Sequence, residues 1–263
     1  MRSEPHLRPA AITFDFGNTL VAVSREGLRR VVERLAVDVT ERSGPFSRQE
    51  FVTAWEEERS RQFLQEVPLG REVDLEQRLV RVFARLRGAV PPDAGAWWDD
   101  AVAARSSSDA ERDAAIDAYS AAFTAEIPAP PSIEPLLAHL AVTHRLALLS
   151  NWPHASTIDR YLEAAGWMRH LRAVVVSQRV GAIKPATEIF RVAEAALEVS
   201  PGRILHVGDD WAADIVGAKR AGWLAAYLPG RQADSPLPSS APHDGGVADL
   251  ELADVTDLPN HID

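Results

Sequence analysis

The sequence predicts an α/β protein: a doubly wound parallel sheet interrupted after its first strand by an all-helical cap. Three observations predict it. From residue 132 to about 228, short apolar runs alternate with helix-length amphipathic segments, the rhythm of parallel strands joined by right-handed crossovers. One more strand-like run, Ala10 to Asp15, lies far upstream of that series. Between the two, from about Arg25 to Ile127, the pattern is helical with no convincing strand. The core is therefore assigned to 1–22 and 127–263, and the cap to 23–126.

The first strand lies in "PAAITFDFGNTLV", residues 9–21. Its apolar run ends in Asp15, and a Gly17-Asn18-Thr19 turn follows. A carboxylate at the end of a buried strand is costly unless partnered. As an isolated feature it is also an ordinary turn residue. In the cap, Ser47-Arg48-Gln49-Glu50 and Ser108-Asp109-Ala110-Glu111 have capping-box form and open helices. Leu75, Leu79, Val82, Phe83 and Leu86 recur at helical spacing. "GAVPPDAGAWW" is a loop leading into another short helix, so the insert holds four or five helices.

After the cap, Ser132–Val142 reads as a helix and Arg145–Ser150 as a buried strand. A helix from Ala155 to Ala165 stops at Gly166, and "RAVVVS" is the next strand. Pro185–Val199 reads as a helix, "RILHVGD" as a strand, Ala212–Ala221 as a helix ended by Gly222, and "WLAAYL" as a strand. The Pro-, Ser- and Gly-rich segment 229–246 reads as a mobile surface loop, and 247–263 as a small edge strand and turn.

Composition narrows the function. A net charge of −10 argues against a nucleic-acid partner or an anionic membrane surface, which reward clustered Lys and Arg. No run of 18 apolar residues suits a membrane span, and Asp15 interrupts the one candidate for a leader's apolar region. A cytoplasmic protein is the expectation. The absence of cysteine excludes disulfides, thiolate metal sites and a Cys nucleophile. Of 28 basic residues only Lys184 and Lys219 are lysine. A composition bias toward Arg explains that, and it singles out any lysine near a site.

Folds of this class place their sites beyond the carboxyl ends of the strands, where the strand order reverses. Asp15 ends the first strand, and Ser150 ends the second. Lys184 precedes the helix after the third. Asp209, Asp210 and Asp214 follow the fourth in "HVGDDWAADIVGAKRAG". Asp210 reads as a helix N-terminal carboxylate, His206 as a hydrogen-bonded core histidine, and Trp152 and Trp211 as packing residues.

This order of motifs resembles the haloacid dehalogenase superfamily, in the subclass with a helical cap after the first strand. The resemblance covers nearly the whole chain. It rests on "FDFGNTL", Ser150, Lys184 and the Gly-Asp-four residues-Asp motif at Gly208, Asp209 and Asp214. It implies a Mg²⁺-dependent phosphatase acting on a small phosphorylated metabolite. Asp15 would be the nucleophile that forms an aspartyl-phosphate, with Lys184 cancelling charge and Ser150 donating to a phosphate oxygen. Asn151, Asn18 and Thr19 would complete the substrate contacts. Asp15, the Gly17 carbonyl and Asp209 would hold the metal, with Asp214 beside them orienting Lys184 or a water.

Two residues depart from the family pattern: Asn18 replaces the usual Gly, a change that Asn's tolerance of positive φ allows, and the second bears on the chemistry. Phosphatases of this kind carry a second Asp two residues after the nucleophile, as general acid and base; here that position is Gly17. The departure disfavours a phosphomutase and leaves hydrolysis of good leaving groups, such as anomeric or acyl phosphates, or hydrolysis in which water or a cap residue supplies the proton. Two other readings stay open. A metal-independent 2-haloacid dehalogenase uses the same nucleophile on carbon but has no use for the acidic pair Asp209 and Asp214. A catalytically silent binding module would not need Asp15, Lys184 and Asp209 together. A phosphonatase is disfavoured because residues 23–126 contain no lysine. Cap residues expected to face the substrate are Arg25, Phe51, Trp55, Trp97 and Trp98.

Overall fold

The computed structural model describes residues 6–229, 234–242 and 246–263. Strand β1 (Ala11–Phe14) leads into the helices α1 (Arg25–Ser43), α2 (Arg48–Glu66), α3 (Leu75–Leu86), the single turn α4 (Asp100–Ala103) and α5 (Asp109–Glu126). The chain then alternates through α6 (Ile133–Leu140), β2 (Arg145–Ser150), α7 (Ala155–Ala164), β3 (Ala173–Val176), α8 (Ser177–Val180), α9 (Thr187–Leu197) and β4 (Ile204–Gly208). A π-helical turn, Trp211–Val216, runs into α10 (Gly217–Arg220), followed by β5 (Leu224–Tyr227) and β6 (Leu250–Glu251).

The six strands form one parallel sheet in the order β3-β2-β1-β4-β5-β6. Side chains alternate between its faces. Ile12, Phe14, Leu146, Leu148, Leu205 and Val207 join one apolar cluster with α6, α7 and the cap helices. Ala11, Ala147, Leu149 and Ile204 join another with α9 and α10. Both faces are covered, which is why these strands read as continuous apolar runs. The chain moves outward from β1 through β2 and β3, then returns to β4 on the other side of β1. The order therefore reverses between β1 and β4, whose carboxyl ends carry Asp15 and Asp209.

The cap helices begin where the capping chemistry places them. Ser47 and Glu50, and Ser108 and Glu111, form reciprocal capping boxes, and Ser24 caps α1 by accepting from Gly27 N at 3.0 Å. Elements after β3 differ from the sequence expectation. Residues 177–180 form a helical turn, and α9 starts at Thr187 because Pro185 lies in a turn closed by Ala186 N donating to Ile183 O at 2.9 Å. The segment after β4 opens as a wide π turn before tightening into α10. The closing edge strand is present as β6.

The Pro- and Ser-rich segment also differs. Residues 230–233 and 243–245 lie outside the described residues. Residues 234–242 form a tethered strap instead of a free surface loop. Ser240 accepts from Ala212 N at 2.7 Å and donates to Asp210 at 2.7 Å, and Asn18 donates to Ser235 Oγ at 3.1 Å. The strap thus lies across the end of the sheet where β1 and β4 stop. Among the described residues, no helix is long and apolar enough to cross a membrane.

Candidate active site

The segments that follow three strands, β1, β3 and β4, deliver four charged side chains to one point. Asp15 continues the β1 ladder, its N–H donating to Val207 O at 2.9 Å. Lys184 Nζ donates to Asp15 Oδ1 at 2.7 Å, to Asp214 Oδ1 at 2.6 Å and to Leu149 O at 2.9 Å. Three donors meet three acceptors, so this buried ammonium is fully partnered. The backbone that carries it is clamped by Asn151, which accepts from Lys184 N at 2.8 Å and donates to Lys184 O at 3.0 Å. One carboxylate oxygen from each of Asp15, Asp209 and Asp214 lies within 4.8 Å of the others.

Asp214 reaches this point by passing beneath Gly208. A Cβ on Gly208 would stand 2.2 Å from the Asp214 carboxyl carbon, so only glycine fits there. Asp214 Oδ2 accepts from Asp210 N at 2.9 Å, and its Oδ1 lies 3.1 Å from His206 Nε2. Because a carboxylate only accepts, His206 carries its proton on Nε2, and Nδ1 takes the Thr13 hydroxyl at 2.8 Å. His206 is thus the buried, hydrogen-bonded histidine expected, with a partner that its place in a strand did not reveal. Thr19 donates to Asp209 Oδ1 at 3.4 Å. Asn18 adopts φ 58°, the left-handed turn conformation that Asn tolerates.

The electrostatics follow from crowding three acids around one base. Burial alone would lower the Lys184 pKa, but Asp15 and Asp214 hold it above the ordinary range. Burial would raise Asp214, but Lys184 and His206 hold it well below the usual carboxylate range. Burial pushes Asp15 up against the opposing pull of Lys184. Asp209 has no cation of its own and is pushed up to about 8, by burial first and then by Asp15 and Asp214. Three ionised carboxylates against one lysine leave the cluster two positive charges short of balance, the charge of one divalent cation.

Above this point lies a cavity of about 700 Å³ lined by Asp15, Gly17, Ser150, Lys184 and Asp209 on the sheet side. Its cap wall carries Arg59, Phe63, Glu72, Arg78 and Tyr119, and the strap contributes Leu237 to Ser240. None of the cap residues expected from the sequence lines it. Phe51 and Trp55 are buried in the apolar cluster, Trp97 faces solvent, and Trp98 donates to Glu58 at 2.9 Å. Arg25 is exposed at the start of α1. Trp152 packs edge-on against Phe16 and Phe123, with centroids 5.3 Å away in each case, while also lining the cavity. Trp211 packs on Tyr227.

Gly17 sits under the strap. A Cβ there would fall 2.5 Å from Leu237 Cδ1, 3.5 Å from Trp152 and 3.9 Å from Val23. The space where a side chain at this position would begin is filled by an apolar group from the far end of the sequence.

A family model of haloacid dehalogenase-like hydrolases matches residues 9–222. The chain belongs to the haloacid dehalogenase-like hydrolase family. Within that family it is 33% identical over 110 residues to a phosphoserine phosphatase of Thermus thermophilus, a match covering 41% of this chain and 44% of that relative. The match thus spans less than half the relative's length. Among solved structures, a 2-haloacid dehalogenase from Pseudomonas syringae superposes with TM-score 0.66 at 19% identity, covering 97% of each chain. A haloacid dehalogenase-type phosphatase from Thermococcus onnurineus superposes with TM-score 0.59 at 17% identity, covering 95% of this chain and 96% of that one. These superpositions establish the shared fold of the hydrolase family.

Proposed function

We propose that this hydrolase is a Mg²⁺-dependent phosphatase of small phosphorylated metabolites. The observation that carries the reading is the set Asp15, Asp209 and Asp214 around Lys184, one cation short of balance. Oxygen-only donors suit a hard divalent ion. Asp15 and Asp209, with the Gly17 carbonyl, would hold it. The oxygens of Asp214 already accept from Lys184, His206 and Asp210 N, so Asp214 acts by fixing Lys184. The ion would supply positive charge at the transferred phosphoryl group.

The chain's own residues then divide the work. Asp15 attacks phosphorus, and the phosphorus–oxygen bond to the leaving group breaks as the aspartyl-phosphate forms. Lys184 offsets charge between the nucleophile and the phosphoryl oxygens, and Ser150 donates to one of them. Water then attacks the aspartyl-phosphate, releasing phosphate and restoring Asp15. Gly17 gives no acid to protonate the departing oxygen, so that proton comes from solvent and good leaving groups are favoured.

One observation favours a second reading. The wall over Gly17 is apolar, formed by Leu237, Trp152 and Val23, and a departing halide needs no proton. In that reaction Asp15 would attack C2 of a 2-haloacid, expel halide and leave an ester for water to cleave. It makes no use of Asp209.

The test is a panel of phosphomonoesters and 2-haloacids, with Mg²⁺ and with chelator, for wild type, Asp15→Asn and Asp209→Asn. Mg²⁺-dependent phosphate release lost in both variants supports the phosphatase. Halide release that survives chelator and Asp209→Asn would replace it with the dehalogenase, and no turnover of either class would leave a binding protein.

A further inference from the structure

The cap wall of the cavity holds positive charge that no carboxylate of the described residues contacts. On α3 and the residue that ends it, Arg81 pairs with Asp100 at 2.7 Å, Arg85 with Glu58 at 3.0 Å and Arg87 with Glu111 at 2.5 Å. Arg78, on the same helix, has no ion pair among the described residues, although it is 4% exposed. Its Nε donates to Gln62 Oε1 at 2.9 Å, and its guanidinium lies 5.0 Å from the Trp55 ring centre. The pattern repeats on α2. Arg48 and Arg61 each have a carboxylate at 3.8 Å, whereas Arg59 has none among the described residues. Arg59 lies over Phe63 at 4.7 Å and donates to Pro236 O at 3.3 Å.

Both of these cap arginines line the cavity; the third arginine there, Arg220, is an exposed residue at the end of α10 on the core side. Burial lowers the pKa of both, to about 10 for Arg78. Repulsion from Arg59 on Arg78 and from Arg25 on Arg59 adds to this, and exceeds the pull of Glu72 or of Asp74 on Arg78 and of Glu56 on Arg59. The one carboxyl on the cap side of the cavity, Glu72, is committed to the Ser177 hydroxyl and to Val73 N at 2.9 Å. Tyr119 adds a phenol that burial keeps protonated. A buried guanidinium without a counter-ion is costly, and its planar donor fork fits a carboxylate or phosphate. That cost falls when an anion arrives with the ligand.

We propose that Arg59, Arg78 and Tyr119 form a subsite for a second oxyanion of the substrate, a carboxylate or a phosphate that is not transferred. The substrate class is then a small phosphomonoester that carries another anionic group at its far end. This deepens the phosphatase reading and rests on it for the identity of the transferred group.

The test separates the two. Calorimetry with non-hydrolysable phosphonates compares simple alkyl phosphonates with ω-carboxyalkyl phosphonates and bisphosphonates of increasing chain length. Wild type is expected to bind the best doubly anionic compound at least about tenfold tighter than the alkyl compound of equal length. Arg78→Gln and Arg59→Gln should each erase most of that preference, and Arg78→Lys should keep part of it. Arg59→Gln, at the less buried position, decides the matter if the Arg78 variants do not fold. The carboxylate and phosphate series show which second anion is preferred. Equal affinity for singly and doubly anionic compounds in wild type, or a preference that survives in the Arg59→Gln variant, overturns the subsite. Phosphate release from the matching phosphomonoesters is read separately. Selective binding without release refutes the phosphatase and keeps the subsite, whereas release without selectivity does the reverse.

Discussion

Replacing Gly17 by alanine isolates the contact between the strap and the sheet. Gly17 has no positive φ that would penalise a side chain. Removing the glycine should therefore stabilise by about 0.4–1 kcal/mol through the unfolded chain. Against this, the new Cβ would stand 2.5 Å from Leu237 Cδ1, roughly 1 Å inside ordinary contact. Leu237 cannot retreat freely, because Ser235 and Ser240 tie the strap to Asn18 and Asp210. Overpacking of this kind costs about 1–3 kcal/mol, and a half-buried leucine end belongs near the lower bound. The net expectation in wild type is a loss of no more than about 0.5 kcal/mol. In a Leu237→Ala background the colliding atoms are gone, and the same change should be neutral or stabilising.

The two effects differ in sign, so urea unfolding of the four proteins in a double-mutant cycle should give a coupling of about 1–2 kcal/mol. Effects of Gly17→Ala that agree within about 0.5 kcal/mol in both backgrounds would refute the contact.

Three further outcomes are expected. Lys184→Met should cost about 3–5 kcal/mol in urea unfolding, because it strands Asp15 and Asp214 without their cation in a buried site. His154 caps α7 by accepting from Thr157 N at 3.3 Å, and burial lowers its pKa below the ordinary 6.5. The unfolded chain therefore takes that proton first as pH falls through 6.5, stability drops, and His154→Asn should flatten this slope in unfolding measured from about pH 7.5 to 5.5. With no acid at Gly17, alkyl phosphates should turn over about 10²–10⁴-fold more slowly than aryl phosphates of similar size; equal rates would show that another group delivers the proton.

The sheet side of the site was legible because topology fixes it. Once the strands are parallel and the order reverses beside β1, residues just past the strand ends must meet, and Asp15, Lys184, Asp209 and Asp214 do. What each hydroxyl or ring touches was not legible, since Thr19 and His206 find Asp209 and Asp214 only after β1 and β4 pair. The cap wall could have been found in part. Arg78 lies three residues after Leu75 and four before Val82, which places it within the apolar stripe of α3 instead of on its solvated face. Arg59 carries no such signal among the charges of α2. The strap shows no periodicity, and its one informative residue is Leu237, the only large apolar side chain between Pro229 and Gly246.

Gly17 and Leu237 together bear on how the site divides its chemistry. In the proposed reaction the lysine that offsets charge at Asp15 is already fixed, by Asp15, Asp214, Leu149 O and the Asn151 clamp, and the remaining positive charge is left to a metal ion. Where that reaction would need a proton for the leaving group, the space beside Gly17 holds an apolar plug from the strap, Leu237. An acid introduced at position 17 would have to displace that plug before it could reach the cavity, so the missing carboxyl and the covering segment are one feature. On the opposite wall, Arg59 and Arg78 leave positive charge for the ligand to match. The strap touches that wall too, through Pro236 O and Arg59. One short segment therefore touches both the position that would serve the leaving group and the wall proposed to hold the substrate's far end.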